Sequence, residues 1–203
     1  MNKDFFKENL PIILILLIGF AIRLYYLILP KNQTEWYDSG EYLSTALHWA
    51  FGLPYDINPQ RPPLLPLFEA ILLKLGGTEM LLKVILELIP SVLVVFVSYL
   101  IVKEMYDKKT ALVTSLFMSV FWLAIFNTVR LHADILLMLF SLLSVYYFWK
   151  GYVKKEKNYY IWLIGVFIAL AFMTKLIGGI FGIIFLIFLI ITEKFKFLKN
   201  KHL

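Results

Sequence analysis

The sequence predicts an all-α, polytopic membrane protein, and three observations lead to that fold class. Of the 203 residues, 61% are hydrophobic and only 17% are charged, whereas a soluble domain carries roughly 25% charged residues. A chain of 23.8 kDa with a mean hydropathy of +0.78 has too little interior to bury this apolar content in water. The apolar residues also fall in long runs that suit membrane-spanning helices. A soluble enzyme and a disordered chain are therefore both excluded.

About six membrane spans are predicted from these apolar runs. The first run follows two lysines, and no cleavage site comes after it, which favours a retained anchor over a signal peptide. The 34-residue run at 159–192 is too long for one ordinary span. A turn at Lys175, which would be costly inside hydrocarbon, divides it into two helices. The predicted spans are residues 10–29, 83–102, 110–128, 135–149, 159–174 and 177–192, within a single membrane domain covering 1–203.

The distribution of basic residues predicts which side of the membrane each loop faces. With six spans, both termini and the loops at 103–109 and 150–158 share one side, which holds 13 of the 20 Lys and Arg residues. The positive-inside rule places that side in the cytoplasm. The external loop, residues 30–80, then faces outward and collects carboxylates. These are Glu35, Asp38, Glu41, Asp56, Glu69 and Glu79, and Asp134 lies on the same side.

The external loop opens with an acidic motif at 38–42 (DSGEY). Apolar and aromatic positions 42, 46 and 49 have helical spacing, which predicts a short interfacial helix along the membrane surface. In one interpretation, Asp38 and Glu41 form a capping box that satisfies free amides at the helix start. In the other, Asp38 takes a proton from an acceptor hydroxyl or holds a metal ion. Both can hold, because a cap also orients the side chain.

A proline-rich segment at 58–67 (NPQRPPLLPL) follows and holds Arg61. Four prolines within it predict an extended, stiff backbone. Arg61 either extends to lipid headgroups at a rigid re-entry into the membrane, or directs its planar guanidinium at a phosphate. The sequence leaves both interpretations open.

Two further polar sites are predicted at turns on the same face. The turn at 130–134 (RLHAD) places three ionisable side chains beside hydrocarbon, where they need partners or water. Arg130 and Asp134 either form an ion pair, or Asp134 contributes a second acidic group to the outer site. His132 is expected to be a polar anchor. Lys175 either anchors the helix end or holds a lipid-linked phosphate. No zinc-ligand spacing occurs.

Several function classes have no sequence support. The chain lacks a P-loop, a dinucleotide-binding glycine pattern and a Ser/His/Asp arrangement. Its net charge of +6 matches the positive-inside bias, and its aromatic residues suit membrane interfaces, so nucleic acid is not an expected partner. The ionisable groups instead converge on one membrane face, which favours chemistry or lipid-headgroup binding there.

The order of these motifs resembles the N-terminal half of the GT-C fold membrane glycosyltransferases. The likeness is to the dolichyl-phosphate-mannose-protein mannosyltransferase and aminoarabinose transferase group (glycosyltransferase family 39 and 83 types). Four features carry it and cover most of the chain. They are 22–25 (IRLY) ending the first span, the acidic motif at 38–42, the proline-rich return at 61–66 (RPPLLP), and a helix end of the pattern GxxxALAxxTK at 165–175, together with the turn at 130–134.

The resemblance implies a transferase that takes a sugar from a polyprenyl- or dolichyl-phosphate donor. It implies that Asp38 is a base or orients the acceptor, and that cations stabilise the departing lipid phosphate. The catalytic candidates are Asp38 and Asp134, and the substrate- and phosphate-binding candidates are Arg61, Arg130, Lys175 and Glu41. A divalent cation is an open option, and the sugar and acceptor are not identified. The expected partners are the polyprenyl-phosphate sugar and membrane lipid.

Such enzymes usually have more spans than this chain, so a second chain supplying the C-terminal half is a further expected partner. The alternative function is a non-catalytic membrane subunit, or a transporter or flippase for a lipid-linked substrate. A transporter is expected to place polar groups near mid-membrane in broken helices. Here the ionisable groups cluster at one face, apart from Arg23 and Glu87, which are predicted near span ends.

Overall fold

The computed structural model describes residues 3–29, 37–55 and 58–193, without the side chains of residues 3–6 and 193. Within this part of the chain the regular structure is helical and contains no strand, which confirms the all-α prediction. The helices are α1 (Lys3–Ile28), α2 (Tyr37–Phe51), α3 (Leu64–Lys74), α4 (Glu79–Met105), α5 (Lys108–Val120), α6 (Trp122–Thr128), α7 (Ala133–Val153), α8 (Tyr159–Thr174) and α9 (Ile180–Glu193). A short 3₁₀ turn, Leu176–Gly179, precedes α9.

The number of helices that can span a membrane is smaller than predicted. By length and composition, α1, α4 and α7 qualify, and α5 with α6 makes a fourth if the pair is one broken span. α8 and α9 are apolar but shorter. The count of six spans is therefore not confirmed among the described residues.

The described part of the predicted external loop carries two short helices, α2 and α3, as expected. Residues 30–36 and 56–57 of that loop lie outside the described part. Helix α2 buries Ser39, Tyr42, Thr45 and Ala46, which share one face at helical spacing. Trp49, the third position of the predicted stripe, also lies in α2 and is 38% exposed.

A hydrophobic cluster joins the loop helices to the longer ones. Tyr42 of α2 packs with Leu65 of α3, with residues of α4 and with the segment that leads into α7. α4 lies between α5 and α7, α8 packs on α7, and α2 packs on α3. Because this cluster connects α2 and α3 to the start of α7, it determines which polar side chains can meet.

The break between α5 and α6 is organised around Arg23 of α1. Phe121 adopts an extended conformation, and the two helices are bent by 49° there. The fully buried Arg23 guanidinium donates to the carbonyl oxygens of Ser119 at 2.7 Å and Met118 at 3.2 Å. Both carbonyls lie at the end of a helix, where backbone acceptors lack helical partners, and the Met118 carbonyl also accepts the Phe121 N–H at 3.4 Å. Arg23 Nε also donates to Ser91 Oγ of α4 at 2.6 Å, so one side chain joins three helices.

Candidate functional site

Arg61 is held between two carboxylates of helix α2. Its Nη2 lies 2.5 Å from Asp38 Oδ1, and its Nε donates to Glu41 Oε2. Asp38 and Glu41 are three positions apart in a helix, so they share a face and can bind one partner. The planar guanidinium suits this arrangement because its donors form a rigid fork.

Asn58 links the proline-rich segment to the same carboxylate. Its Nδ2 donates to Glu41 Oε1 at 3.2 Å, and its Oδ1 accepts the N–H of Gln60 at 3.0 Å. The N–H of Arg61 also donates to the Asn58 carbonyl at 3.0 Å, which closes a turn. The segment was predicted to be extended throughout, and this turn, together with the start of α3 at Leu64, corrects that prediction. The Asn-Pro dipeptide is a known turn signal that could have indicated it.

The capping-box interpretation of the acidic motif is wrong. α2 begins at Tyr37, so Asp38 lies within its first turn, and both carboxylates face Arg61. The hydrogen bond from Arg61 lowers the pKa of Glu41, and Asn58 and Tyr37 act in the same direction. Burial opposes the charge of Arg61, but its hydrogen bonds with Glu41 and Asp38 outweigh that effect and raise its pKa.

A second ion pair joins the start of α7 to the break after α8. Lys175 Nζ lies 2.7 Å from Asp134 Oδ1, and His132 Nδ1 lies 3.6 Å from Asp134 Oδ2. Asp134 is in the first turn of α7, where a negative charge is favoured. Lys175 is in extended backbone directly after α8, so the polypeptide breaks at the lysine as anticipated. Asp134 thus pairs with Lys175, on a different segment from Arg130, which was its partner in one of the two predicted interpretations.

Arg130 interacts instead with α6, the helix that precedes it. Its Nη1 donates to the Phe126 carbonyl at 2.8 Å, and its guanidinium lies 3.8 Å from the centre of the Phe126 ring. The phosphate-binding role predicted for Arg130 has no counterpart in the lining of the cavity described next.

An open cavity of about 360 Å³ connects the two ion-pair clusters. Arg61 lines it from the proline-rich segment, and Lys175 lines it from the break after α8. The remaining lining residues are Tyr42, Gln60, Pro62, Leu176 and Ile177. Two cations, each held by at least one carboxylate, therefore face the same space.

Tyr42 is a site residue that the sequence analysis treated only as an apolar position. It is 2% exposed, and its ring centre lies 5.5 Å from the Arg61 guanidinium. It also packs in the cluster that contains Leu131 and Ala133, next to Asp134. Tyr42 thus supports both ion-pair clusters. Its position directly after Glu41, within the acidic motif, was the sequence signal that could have indicated this role.

Two more carboxyl groups, those of Glu69 and Glu87, are fully buried near this region. The sequence analysis placed Glu69 on the outer side and Glu87 near the end of a span, but it did not predict that either is buried. Within residues 3–29, 37–55 and 58–193, no group of three or more His, Cys, Asp or Glu side chains is placed to hold a metal ion.

Comparison with known proteins adds the family. A family model described as dolichyl-phosphate-mannose-protein mannosyltransferase matches residues 60–203. No curated protein and no solved structure gives a significant match. The matched range contains Arg61, Asp134 and Lys175, whereas Asp38 and Glu41 precede it and reach the site by pairing with Arg61.

The family match covers well over half of the chain, and it agrees with the apolar helices α1, α4 and α7. The protein is therefore an integral membrane protein of a glycosyltransferase type. This chain belongs to the dolichyl-phosphate-mannose-protein mannosyltransferase family.

Proposed function

We propose that the cavity between Arg61 and Lys175 binds the phosphate of a polyprenyl-phosphate-linked sugar, and that the sugar is transferred from it to an acceptor on the outer membrane face. One observation carries this proposal: two cations from segments far apart in the chain line the same open cavity. Family membership supports a sugar transfer reaction at this site.

The ion pairs prepare the cations for a phosphate. Arg61 uses Nε and Nη2 for Glu41 and Asp38, and a guanidinium has five N–H donors, so some remain for a phosphate oxygen. Lys175 is held at the rim by Asp134. Preorganised donors of this kind stabilise the negative charge that grows on the phosphate as the sugar leaves.

The three carboxylates take different roles in this proposal. The Asp38 side chain is 39% exposed, and its Oδ1 holds Arg61, which leaves Oδ2 for the proton of an acceptor hydroxyl. The Glu41 side chain is only 10% exposed and contacts Arg61 and Asn58, so it positions the cation. Asp134 does the same for Lys175.

The cavity belongs on the outer face, with both termini in the cytoplasm. The positive-inside rule assigns the segments around 58–63, 130–134 and 175 to one side. These segments lie together in the fold, through the ion pairs of Arg61 and Lys175 and the packing of Tyr42. Their convergence supports placing them on the same side of the membrane, and the positive-inside rule makes that side the outer one.

The binding step is tested with the purified chain in lipid nanodiscs and a short-chain polyprenyl monophosphate. Because hydrogen bonds to charged groups contribute about 1.5–3 kcal/mol, Arg61→Gln and Lys175→Gln should each weaken the affinity about tenfold or more. Lys74→Gln is the matched control, since Lys74 is an exposed cation on α3, and its affinity should be unchanged.

Wild-type affinity in both cavity variants would disprove the proposed phosphate site. Binding that depends on Arg61 and Lys175, but without sugar transfer by membranes containing the chain and its partners, would instead favour the alternative of a non-catalytic subunit or a transporter.

A further inference from the structure

Glu87 is a fully buried carboxyl group behind the candidate site. It lies in a π-helical segment of α4, Val84–Leu88. Its Oε1 accepts the backbone N–H of His132 at 2.9 Å, and its Oε2 has no hydrogen-bond partner among the described residues. A buried carboxyl oxygen without a partner costs free energy. A carboxyl group at this position therefore needs a compensating role.

The contact with His132 replaces a missing helix cap. His132 is the N-cap residue of α7 and makes no side-chain capping hydrogen bond. In a capping box, the third residue of the helix accepts the N–H of the N-cap residue. In α7 that third residue is Ile135, which has no acceptor in its side chain. Glu87 supplies the acceptor from a different helix.

The π-helical segment directs Glu87 toward this turn. One additional residue in a helical turn changes the direction of the side chains around it, and such segments are frequent at functional sites. The helix is α-helical on both sides of Val84–Leu88. The neighbouring Leu86 packs in the same cluster as Leu131, so the segment contacts the turn through both a hydrogen bond and apolar packing.

We propose that Glu87 is a positioning residue that holds the turn before α7, and through it the Asp134–Lys175 pair, at the candidate site. The ligand named in the test rests on the proposed function, but the positioning role does not. Asp134 follows His132 by two residues and binds Lys175 at 2.7 Å. The His132 N–H also donates to the Arg130 carbonyl of its own turn at 3.0 Å, so Glu87 is the acceptor that links this N–H to α4. Loss of the Glu87 acceptor removes that link, so the turn and Lys175 lose their defined position.

Three variants of the full chain in nanodiscs separate the reach of the side chain, its carboxyl group and its hydrogen bonding. Glu87→Gln keeps an acceptor oxygen at the same reach without the carboxyl group. Glu87→Asp keeps the carboxyl group but is shorter by one methylene. Glu87→Leu keeps a similar volume without an acceptor. The readout is the rate at which an amine-reactive acetylating reagent modifies Lys175, measured by peptide mass spectrometry.

The Asp and Leu variants should be acetylated at Lys175 about three to ten times faster than wild type, as expected for the loss of one net hydrogen bond. The Gln variant should match wild type. Acetylation of Lys74, exposed on α3, is the internal control and should not change. Affinity for the short-chain polyprenyl monophosphate should fall in the Asp and Leu variants only.

Equal Lys175 acetylation in wild type, Asp and Leu variants would overturn the proposal, and so would a Gln variant that behaves like the Leu variant. If the Leu variant fails to fold, the comparison of Gln with Asp decides the same question. If the wild-type chain binds no polyprenyl phosphate, the proposed function fails, while the acetylation rates still test Glu87.

Discussion

Two arginines in this chain show opposite uses of the same side chain. Arg23 is fully buried where α1, α4 and α5 meet, and its described partners are a hydroxyl and backbone carbonyls. Arg61 pairs with two carboxylates at the rim of an open cavity, and its side chain is 23% exposed.

The difference between them lies in the partners and the access. The donors of Arg23 satisfy carbonyls at a helix break, which stabilises the bend and leaves the guanidinium inaccessible. Arg61 is paired with charges on an accessible surface, so an incoming anion can share or replace those partners. Burial and partner type therefore distinguish the structural cation from the one proposed to bind phosphate, and residue type does not.

The largest effect is expected at the structural arginine. Arg23→Met leaves the Ser119 carbonyl without a donor and removes the hydrogen bonds to Met118 and Ser91. This should cost roughly 3 kcal/mol or more of folding stability, since each unsatisfied buried group costs about 1–3 kcal/mol. Thermal unfolding in detergent measures the loss, and Arg23→Lys, which keeps the charge without the fork, should lie between. If Arg23 is only structural, the folded fraction binds polyprenyl phosphate normally. Normal stability with lost binding would contradict the comparison.

A smaller but specific effect is expected at the carboxylate beside Arg61. Asp38→Asn should lower sugar transfer by about 100-fold, the range typical of a general base. Affinity for the donor should stay within about threefold, because an exposed ion pair contributes little free energy. Turnover and donor binding are measured separately on membranes containing the chain and its partners. Unchanged turnover would exclude Asp38 as the base.

The smallest effect concerns the pH dependence of the Arg61–Glu41 pair. Arg61 lowers the pKa of Glu41 from its usual 4.5, so the stabilisation is fully present above about pH 4.5 and is lost as pH falls through the lowered value. The difference in Tm between wild type and Glu41→Gln should be about 1–3 °C at neutral pH and should vanish in acid. A difference that grows on acidification would contradict the pairing.

Some features could be predicted because they depend on neighbouring residues. Apolar runs identified the helices, and helical spacing placed Asp38 and Glu41 on one short helix. The span count could not be confirmed, since α5 and α6 are separated by a bend at Phe121 and α8 and α9 are short. No proline or glycine marks that bend in the sequence, and Arg23, 96 residues from Ser119, supports it.

Ion-pair partners were also hard to predict, because they are distant in the sequence. One of the two predicted interpretations paired Asp134 with its sequence neighbour Arg130, but Asp134 binds Lys175, 41 residues away. Arg61 was considered for lipid or phosphate, and its carboxylate partners were not anticipated, since they lie 20 and 23 residues away in the chain. Tyr42 of α2 packs against the start of α7, and this contact brings the two ion-pair clusters together.

The sequence by itself determined the membrane class, the helical elements and the residue types available for chemistry. These follow from hydropathy and backbone preferences, which act over one or two helical turns. Only the tertiary structure decided that Arg23 caps a helix break, that Arg61 and Lys175 share a cavity, and that Glu87 caps α7. Electrostatic and hydrogen-bond energies depend on distances of a few ångströms between atoms, and only packing sets those distances across the chain.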